Sequence, residues 1–347
     1  MARLVVVMML ALVSCACSGV RYYAQAVHGQ ATLIMHRQPL DKVLRDPTTD
    51  ARLVARLRQA QQARRFASQR LALPDNRSYT GYVALDRPYV AWNVFATPRF
   101  SVHAVPQCFP VAGCVAYRGW FSESAARADA ERLQAGGYDV WVGGVPAYST
   151  LGWFADPILS SMLREDDDGL AGMIFHELAH QLVYVKGDTV FNESFATFVQ
   201  TEGLRQWRQS RGLPPRNDHL HAMDEGFTQL VLSLRGRLET LYASGLDEAT
   251  MAAGKHREIA AFRVQYQQWR DLHWPNDHRY DAWVAGPINN ARLLPFGLYQ
   301  RWVPAFAALF AQAEGHWPAF HARVRELAQW PRRERDRELQ ALQAPRY

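Results

Sequence analysis

The chain has 347 residues, 48% of them hydrophobic and 21% charged, with a formal net charge of +6. That is an ordinary globular composition, long enough for one large domain or two small ones. The 36 arginines and three lysines (Lys42, Lys186 and Lys255) lie scattered among acids, with no basic stripe interleaved with aromatics, so a nucleic-acid partner is not expected.

The opening residues, "MARLVVVMMLALVSC", carry one positive charge and an apolar run from Leu4 to Val13. Such a run is shorter than the roughly 20 residues of a membrane span and fits the core of a signal peptide. Leu12-Val13-Ser14-Cys15 also resembles the bacterial lipobox, where cleavage precedes a cysteine that receives diacylglycerol. The expectation is a signal peptide over residues 1–14 and a lipid on Cys15. Because Ala16 rather than Asp follows, the anchor is expected in the outer membrane, facing the periplasm. An ordinary secretory signal cut elsewhere is the plainer alternative.

Residues 15–74 read as an anchor region and an N-terminal helical extension. Within them, residues 40–73 place Val43, Leu44, Leu53, Leu57, Ala60 and Phe66 at helical spacing, as in one or two surface helices. From about residue 75 the character changes: "YTGYVALDRPYVAWNVFATPRFSVHAV" is rich in Tyr, Val, Trp and Phe and reads as short strands. Cys108 and Cys114, six apart across a Pro/Gly-containing turn, suit a disulfide in an oxidising compartment, since two cysteines are only half of a zinc site. "CVAYRGWF" is another strand. Ser122 can cap a helix over residues 123–135 that stops at Gly136-Gly137, and "YDVWVGG" is a strand again. From Pro157 onward the pattern is helical, with breaks at Pro214-Pro215, Ser244-Gly245, Trp274-Pro275, Pro304 and Trp330-Pro331. The fold class expected is α+β over residues 75–347, with a small twisted sheet, then an active-site helix and a mostly helical C-terminal half.

The helix "LAGMIFHELAHQLVYVK" carries the chemistry. Asp166, Asp167 and Asp168 can cap it, and Gly187 is its expected stop. His176 and His180 are four apart and project from one face, so both imidazoles can reach one metal ion. Glu177 lies beside them, angled away from coordination but close enough to hold the reacting water. A catalytic zinc takes three protein ligands and keeps a fourth position open. After the break "GDTVF", a second helix is expected to begin with Asn192 as its cap. Glu193 is then the carboxylate best placed to complete the set, with Asp188 and Glu202 as rivals. The plain alternative is a buried helix with two histidines hydrogen-bonded in the core.

"FHELAHQLVYVKGDTVFNESFATFV" resembles the glutamate-zincin pattern, in which Asn-Glu-x-x-Ala supplies the third ligand. More narrowly, "YYAQAVHGQ", "LDRPYVAWNVFATP", "CFPVAGCVAYRGWF", "GGVPAYSTLGWFADP" and "INNARL" resemble the bacterial family of putative aminopeptidases of the zincin clan. The likeness spans roughly residues 20–300. It implies a zincin-like fold, one Zn2+ held by His176, His180 and Glu193, Glu177 as general base, and a peptide substrate. Where the glutamate zincins often have an Asp four residues after the third ligand, this chain has Thr197. Zincins bind substrate along a sheet edge just before the active helix, so Tyr148, Ser149, Thr150, Leu151 and Gly152 are candidate substrate-edge residues. An oxyanion donor is sought among Tyr148, Tyr280, Tyr299, His273 and His278, and Asn289-Asn290 face either the cleft or helix backbones. The holder of a free substrate amine is sought among Asp156, Glu165 and Glu123. The competing class is a non-catalytic envelope lipoprotein whose zinc is structural, closed by a fourth ligand such as His219 or His221. The residues do not specify an oligomeric state.

Overall fold

The computed structural model describes residues 22–109, 113–215 and 218–343, with the side chains of residues 218–221 left aside. The expected signal segment, Cys15 and the side chains of His219 and His221 therefore lie outside the described residues. Residues 22–36 form helix α1, followed by the short strand β1 (Gln38–Pro39) and helices α2 (Leu40–Arg45) and α3 (Ala51–Arg70). Strands β2 (Gly81–Val83), β3 (Ala91–Thr97), β4 (Gln107–Phe109), β5 (Gly113–Val115) and β6 (Tyr117–Trp120) come next. Helix α4 (Glu123–Ala135) separates them from β7 (Asp139–Val145) and β8 (Ile158–Leu159). The remainder is helical: α5 (Asp167–Leu182), α6 (Thr189–Ser210), α7 (Asp218–Tyr242), α8 (Glu248–His273), α9 (Asp281–Ala285), α10 (Asn290–Gln300), α11 (Val303–Gln312), α12 (Trp317–Gln329) and α13 (Arg332–Gln343). The molecule is thus α+β with a helical C-terminal half. Its strands are divided between two three-stranded sheets, ordered β1-β2-β8 and β6-β3-β7, and the separate β4–β5 hairpin.

Strand β3 is the centre of the second sheet and runs antiparallel to both neighbours. Alternation along it makes two unlike faces. Trp92, Val94 and Ala96 pack with Trp120 and Val140 beneath α4, whose Ala126 and Ala130 allow close approach. On the other face Phe95 packs against Ala291, Leu294 and Leu298 of α10, while Ala91 and Asn93 are left lining a cleft. Helix α4 starts and stops as its sequence predicts. The Ser122 hydroxyl accepts from the Ala125 N–H at 3.3 Å, and Gly136 closes its last turn.

Helix α5 is apolar nearly all round, with Leu170, Ala171, Ile174, Phe175, Leu178 and Ala179 fully buried. A helix of that kind needs cover on several sides, and α3 and α6 provide it. Helix α3 is therefore not a surface helix, contrary to its charged composition. Leu57, Ala60, Ala63, Phe66 and Ala67 form a continuous apolar stripe that enters the same core as α5, while Arg56 and Arg64 flank it half-buried, bonded to Asp167 and Asp75. Phe66 meets Phe175 and Trp207 at ring separations of 5.9 and 5.2 Å. Helix α6 approaches closely because Gly203 has no side chain: a Cβ there would lie 2.7 Å from Leu71 Cδ1 and 3.1 Å from Phe175 Cδ2.

Helix α12 is tied back to the end of α3 by His321, which is buried and donates from Nε2 to the Leu71 carbonyl at 2.9 Å. Its Nδ1 is buried without a partner, so a proton there would strand a charge. Burial accordingly lowers the His321 pKa to about 4. The unfolded imidazole, with an ordinary pKa of about 6.5, takes up a proton that the folded one refuses. Stability should therefore fall as pH drops from about 6.5 toward 4, by an amount of order 3 kcal/mol from this group. His321→Gln keeps a donor for Leu71 and should flatten the melting temperature across that window. An unchanged slope would contradict the assignment.

Candidate metal centre

The site begins with two helix caps. The Asp166 carboxylate accepts from the Gly169 N–H at 2.6 Å, and Asp167 and Asp168 add negative charge in the first turn of α5. The helix then ends at Leu182, short of the expected stop at Gly187, because Val183 is already extended. The physical reason lies in Asn192, whose side chain takes over the backbone of Val185. Its Oδ1 accepts from the Val185 N–H and its Nδ2 donates to the Val185 carbonyl, both at 2.8 Å. Asn192 is thus a clamp and not the cap of the next helix. That cap is Asp188, whose Oδ1 accepts from the Phe191 N–H at 3.1 Å, so α6 starts at Thr189. The other Asp188 oxygen receives Arg335 Nη2 at 2.6 Å, with both side chains almost fully buried. Gly187, at φ +80°, makes the reversal between them.

This turn delivers Glu193 to the two histidines. The Nε2 atoms of His176 and His180 are 3.1 Å apart, and Glu193 Oε2 lies 3.3 and 3.5 Å from them. All three residues are buried, and their donor atoms form a group that could hold a metal ion. Tetrahedral bonds of ~2.0–2.1 Å would separate ligand atoms by roughly 3.3 Å, so the spacing fits one small divalent ion. Glu193 Oε2 has no hydrogen-bond partner of its own, which leaves a buried anionic lone pair aimed at that space. The rivals are otherwise engaged: Asp188 in the cap and ion pair, and Glu202 with Arg205 and Gln206.

Gln200, two turns past Glu193 on α6, accepts from His176 Nδ1 at 3.0 Å. That bond sets the tautomer that leaves the Nε2 lone pair free for a cation. Gly172 makes room for it, since a Cβ there would sit 3.2 Å from Gln200 Cγ. Thr197 is half-buried, its hydroxyl oxygen is buried without a partner, and so is Nδ1 of His180. Tyr299 of α10 stacks on His176 with ring centroids 6.1 Å apart. Burial and the neighbouring Glu193 carboxylate push its phenol well above the usual range.

The two glutamates are driven apart electrically. Burial would raise Glu193, but His180 and His176 overcome it and hold that carboxyl well below the ordinary range. Burial raises Glu177 to about 7, with His176 opposing and the charges of Glu193 and Asp156 assisting. One carboxylate thus stays ionised while its neighbour can exchange a proton near neutrality.

Glu177 and the three donors open into a cleft of about 350 Å³. Its walls are mostly apolar and aromatic: Tyr22 and Ala26 of α1, Tyr117 of β6, Phe109 of the hairpin and Phe121. Of the candidate substrate-edge residues, Tyr148, Ser149 and Leu151 line the cleft. Thr150 turns inward, giving its N–H and hydroxyl to Asp156 at 3.1 and 2.6 Å, and Gly152 is exposed. The segment is a loop, bent at Leu151 (φ 56°) and Gly152 (φ 82°), and not a strand. Of the other candidate donors, Tyr280 bonds Asp224 and His278 bonds Asp281, and with His273 they lie off the cleft. Asn289 caps α10 and Asn290 bonds the Arg99 carbonyl. Asp156, Glu123 and Glu165 do not line the cleft either.

The Cys108–Cys114 disulfide joins directly opposed residues of the β4–β5 hairpin. That hairpin rests on the α5–α6 turn, where a Cβ on Gly113 would lie 2.7 Å from the Gly187 nitrogen. Sequence reading missed Gln200, Tyr117 and the clamp made by Asn192. Only Gln200 had a usable signal, lying seven residues from Glu193 and hence on the same helical face. Replacing Glu193 with Ala should weaken zinc binding, measured by competition with a chelating dye, more than replacing Gln200, whose loss should cost about 10–100-fold. Unchanged affinity in the Glu193→Ala protein would refute this donor set.

No curated protein and no solved structure matches the chain. A family model described as "putative aminopeptidase" matches residues 21–339, most of the length. The chain therefore belongs to this putative aminopeptidase family.

Proposed function

We propose that the protein is an exported zinc-dependent peptidase, anchored by lipid on Cys15 to the outer membrane, with its single zinc held by His176, His180 and Glu193. The observation that supports it most is the triangle of donor atoms at 3.1, 3.3 and 3.5 Å, carried by buried residues that line the cleft. When bound, zinc supplies a Lewis acid that polarises a peptide carbonyl and makes water acidic near neutral pH.

The remaining work falls to side chains. Glu177 lines the same cleft as the donor set, and its carboxylate accepts a proton from the attacking water and returns it to the leaving amine. Burial prepares it for both halves of that exchange. Gln200 keeps the His176 ring in one orientation. The aromatic walls exclude bulk water and take up the apolar parts of a peptide. Family membership supports release of N-terminal residues. A second reading, internal cleavage, is favoured by one feature: among the described residues the cleft wall carries no acid besides Glu177 and Glu193 to hold a free amine.

The test is Glu177→Gln in purified protein, with zinc content measured beside hydrolysis of a mixed peptide library. Zinc should stay bound while turnover falls by at least 100-fold. A mutant as active as wild type, or wild-type protein that takes up no zinc, would defeat the proposal. Products from the wild-type digest separate the two readings, since single residues freed from amino termini mean an aminopeptidase and internal fragments mean an endopeptidase.

A further inference from the structure

Helix α1 is docked by one face and bare on the other. On the inner face Gly29 lies so close to Phe121 that a Cβ would meet its ring at 2.2 Å. Gln25 accepts from the Phe121 N–H at 3.0 Å, Leu33 is buried, and Tyr148 donates its hydroxyl to Gln30. The outer face carries Tyr23, Val27, Ile34 and Met35, with Val27 69% and Met35 72% exposed. Residues 22–36 include no Asp, Glu, Lys or Arg.

Beside this face stands the tip of the cleft loop. Trp153 is 74% exposed, Phe154 is exposed next to it, and residues 149–155 are also free of charge. Ile34 and Phe154 line the same groove, with Arg37 also in its wall, so the helix face and the loop tip are continuous. Exposed His28 and His36 and the Arg37 that ends the groove are its polar members, and the rest, with Tyr23 and Trp153 in it, is apolar in a way unusual on a surface meant only for water.

We infer that this patch is a membrane-contacting surface, formed by the outer face of α1 and the Trp153–Phe154 tip, that seats the mouth of the cleft against phospholipid. The occupant follows from chain length, and this step rests on the exported, lipid-anchored reading. Only six residues lie between Cys15 and Tyr22, a reach of at most ~25 Å. Tyr22 is the first described residue of α1, so a lipid on Cys15 keeps this helix over the bilayer. Aromatic and aliphatic side chains then enter the interfacial layer while the docked face stays in the protein. The same two elements border the cleft, through Tyr22 and Ala26 on one side and Ser149 and Leu151 on the other. The substrates reached are therefore peptide segments held at the lipid surface.

The experiment uses the chain from Ala16 onward, which lacks the anchor but keeps every described element, in flotation with phosphatidylethanolamine–phosphatidylglycerol vesicles. Wild type should float with the vesicles. The variant Val27→Ser, Ile34→Ser, Trp153→Ser, Phe154→Ser should bind at least tenfold less, with an unchanged far-UV spectrum and melting temperature. Brominated lipids should quench wild-type tryptophan fluorescence, and Trp153→Phe should float normally while losing most of that quenching. Wild type that stays unbound at all lipid concentrations, or a quadruple variant that binds as well, would overturn the inference. Self-association lost in the quadruple variant, without lipid binding in wild type, would give the patch to a second copy instead. Since the tested chain has no Cys15, failure here leaves the anchor and the peptidase readings intact. Those fail separately, if Cys15→Ser does not alter envelope fractionation or if Glu177→Gln stays active.

Discussion

Between Leu182 and Thr189 the backbone reverses inside the protein, where unpaired N–H and C=O groups are costly, and it must still bring a carboxylate level with two imidazoles. Two side chains make that possible. Asn192 replaces the missing helical hydrogen bonds of Val185 with a matched pair of its own, and Asp188 caps the new helix while binding Arg335. The Asp188–Arg335 pair is buried, so losing Asp188 would leave the Arg335 charge uncompensated at a cost of about 3–5 kcal/mol, whereas Asp188 has Arg332 as a second, more distant partner. Because Arg335 lies on the last described helix, the C-terminal half is drawn in to fix a turn in the middle of the chain. The disulfide hairpin closes over the same turn, and glycine at 113 and 187 allows backbone to meet backbone there.

From that reversal the electrostatics of the site follow. Helix α5 packs most of its apolar surface on α3 and α6, and its His176, Glu177 and His180 line the cleft. In such surroundings charges interact strongly, so Glu193 between two histidines stays ionised while Glu177, slightly further along, is raised toward neutrality. A buried, ionised carboxylate with an unpartnered oxygen between two imidazoles is costly unless a cation completes it. Gln200 restrains one ring, and the other has no such restraint among the described residues. The two histidines are therefore not equivalent, although their sequence spacing makes them look so.

Much of this was legible before any coordinates. The four-residue spacing of His176 and His180, the Ser122 cap and the alternation in β3 are local patterns, and local physics decides them. Glu193 could be favoured because a tight reversal and a second helix leave few carboxylates in reach. What escaped is non-local. The stop of α5 depends on Asn192, ten residues beyond Leu182, and the identity of the cap depends on an arginine 147 residues away. Helix α3 looked like a surface helix because charge dominates its composition, whereas its narrow stripe of Leu, Ala and Phe decides its burial. The segment Tyr148–Gly152 reads equally as a substrate edge or a plain loop, and Asp156, which holds Thr150 inward, makes it a loop.

The central claim is that this one reversal creates a three-ligand site for a single metal ion. Anomalous diffraction at the zinc absorption edge, on crystals grown with zinc, tests it most directly. One strong peak is expected, bonded to Nε2 of His176, Nε2 of His180 and Oε2 of Glu193, at ~2.0–2.2 Å from each. A zinc ion bound elsewhere, or a site in which Glu193 stands away from the metal, would contradict it.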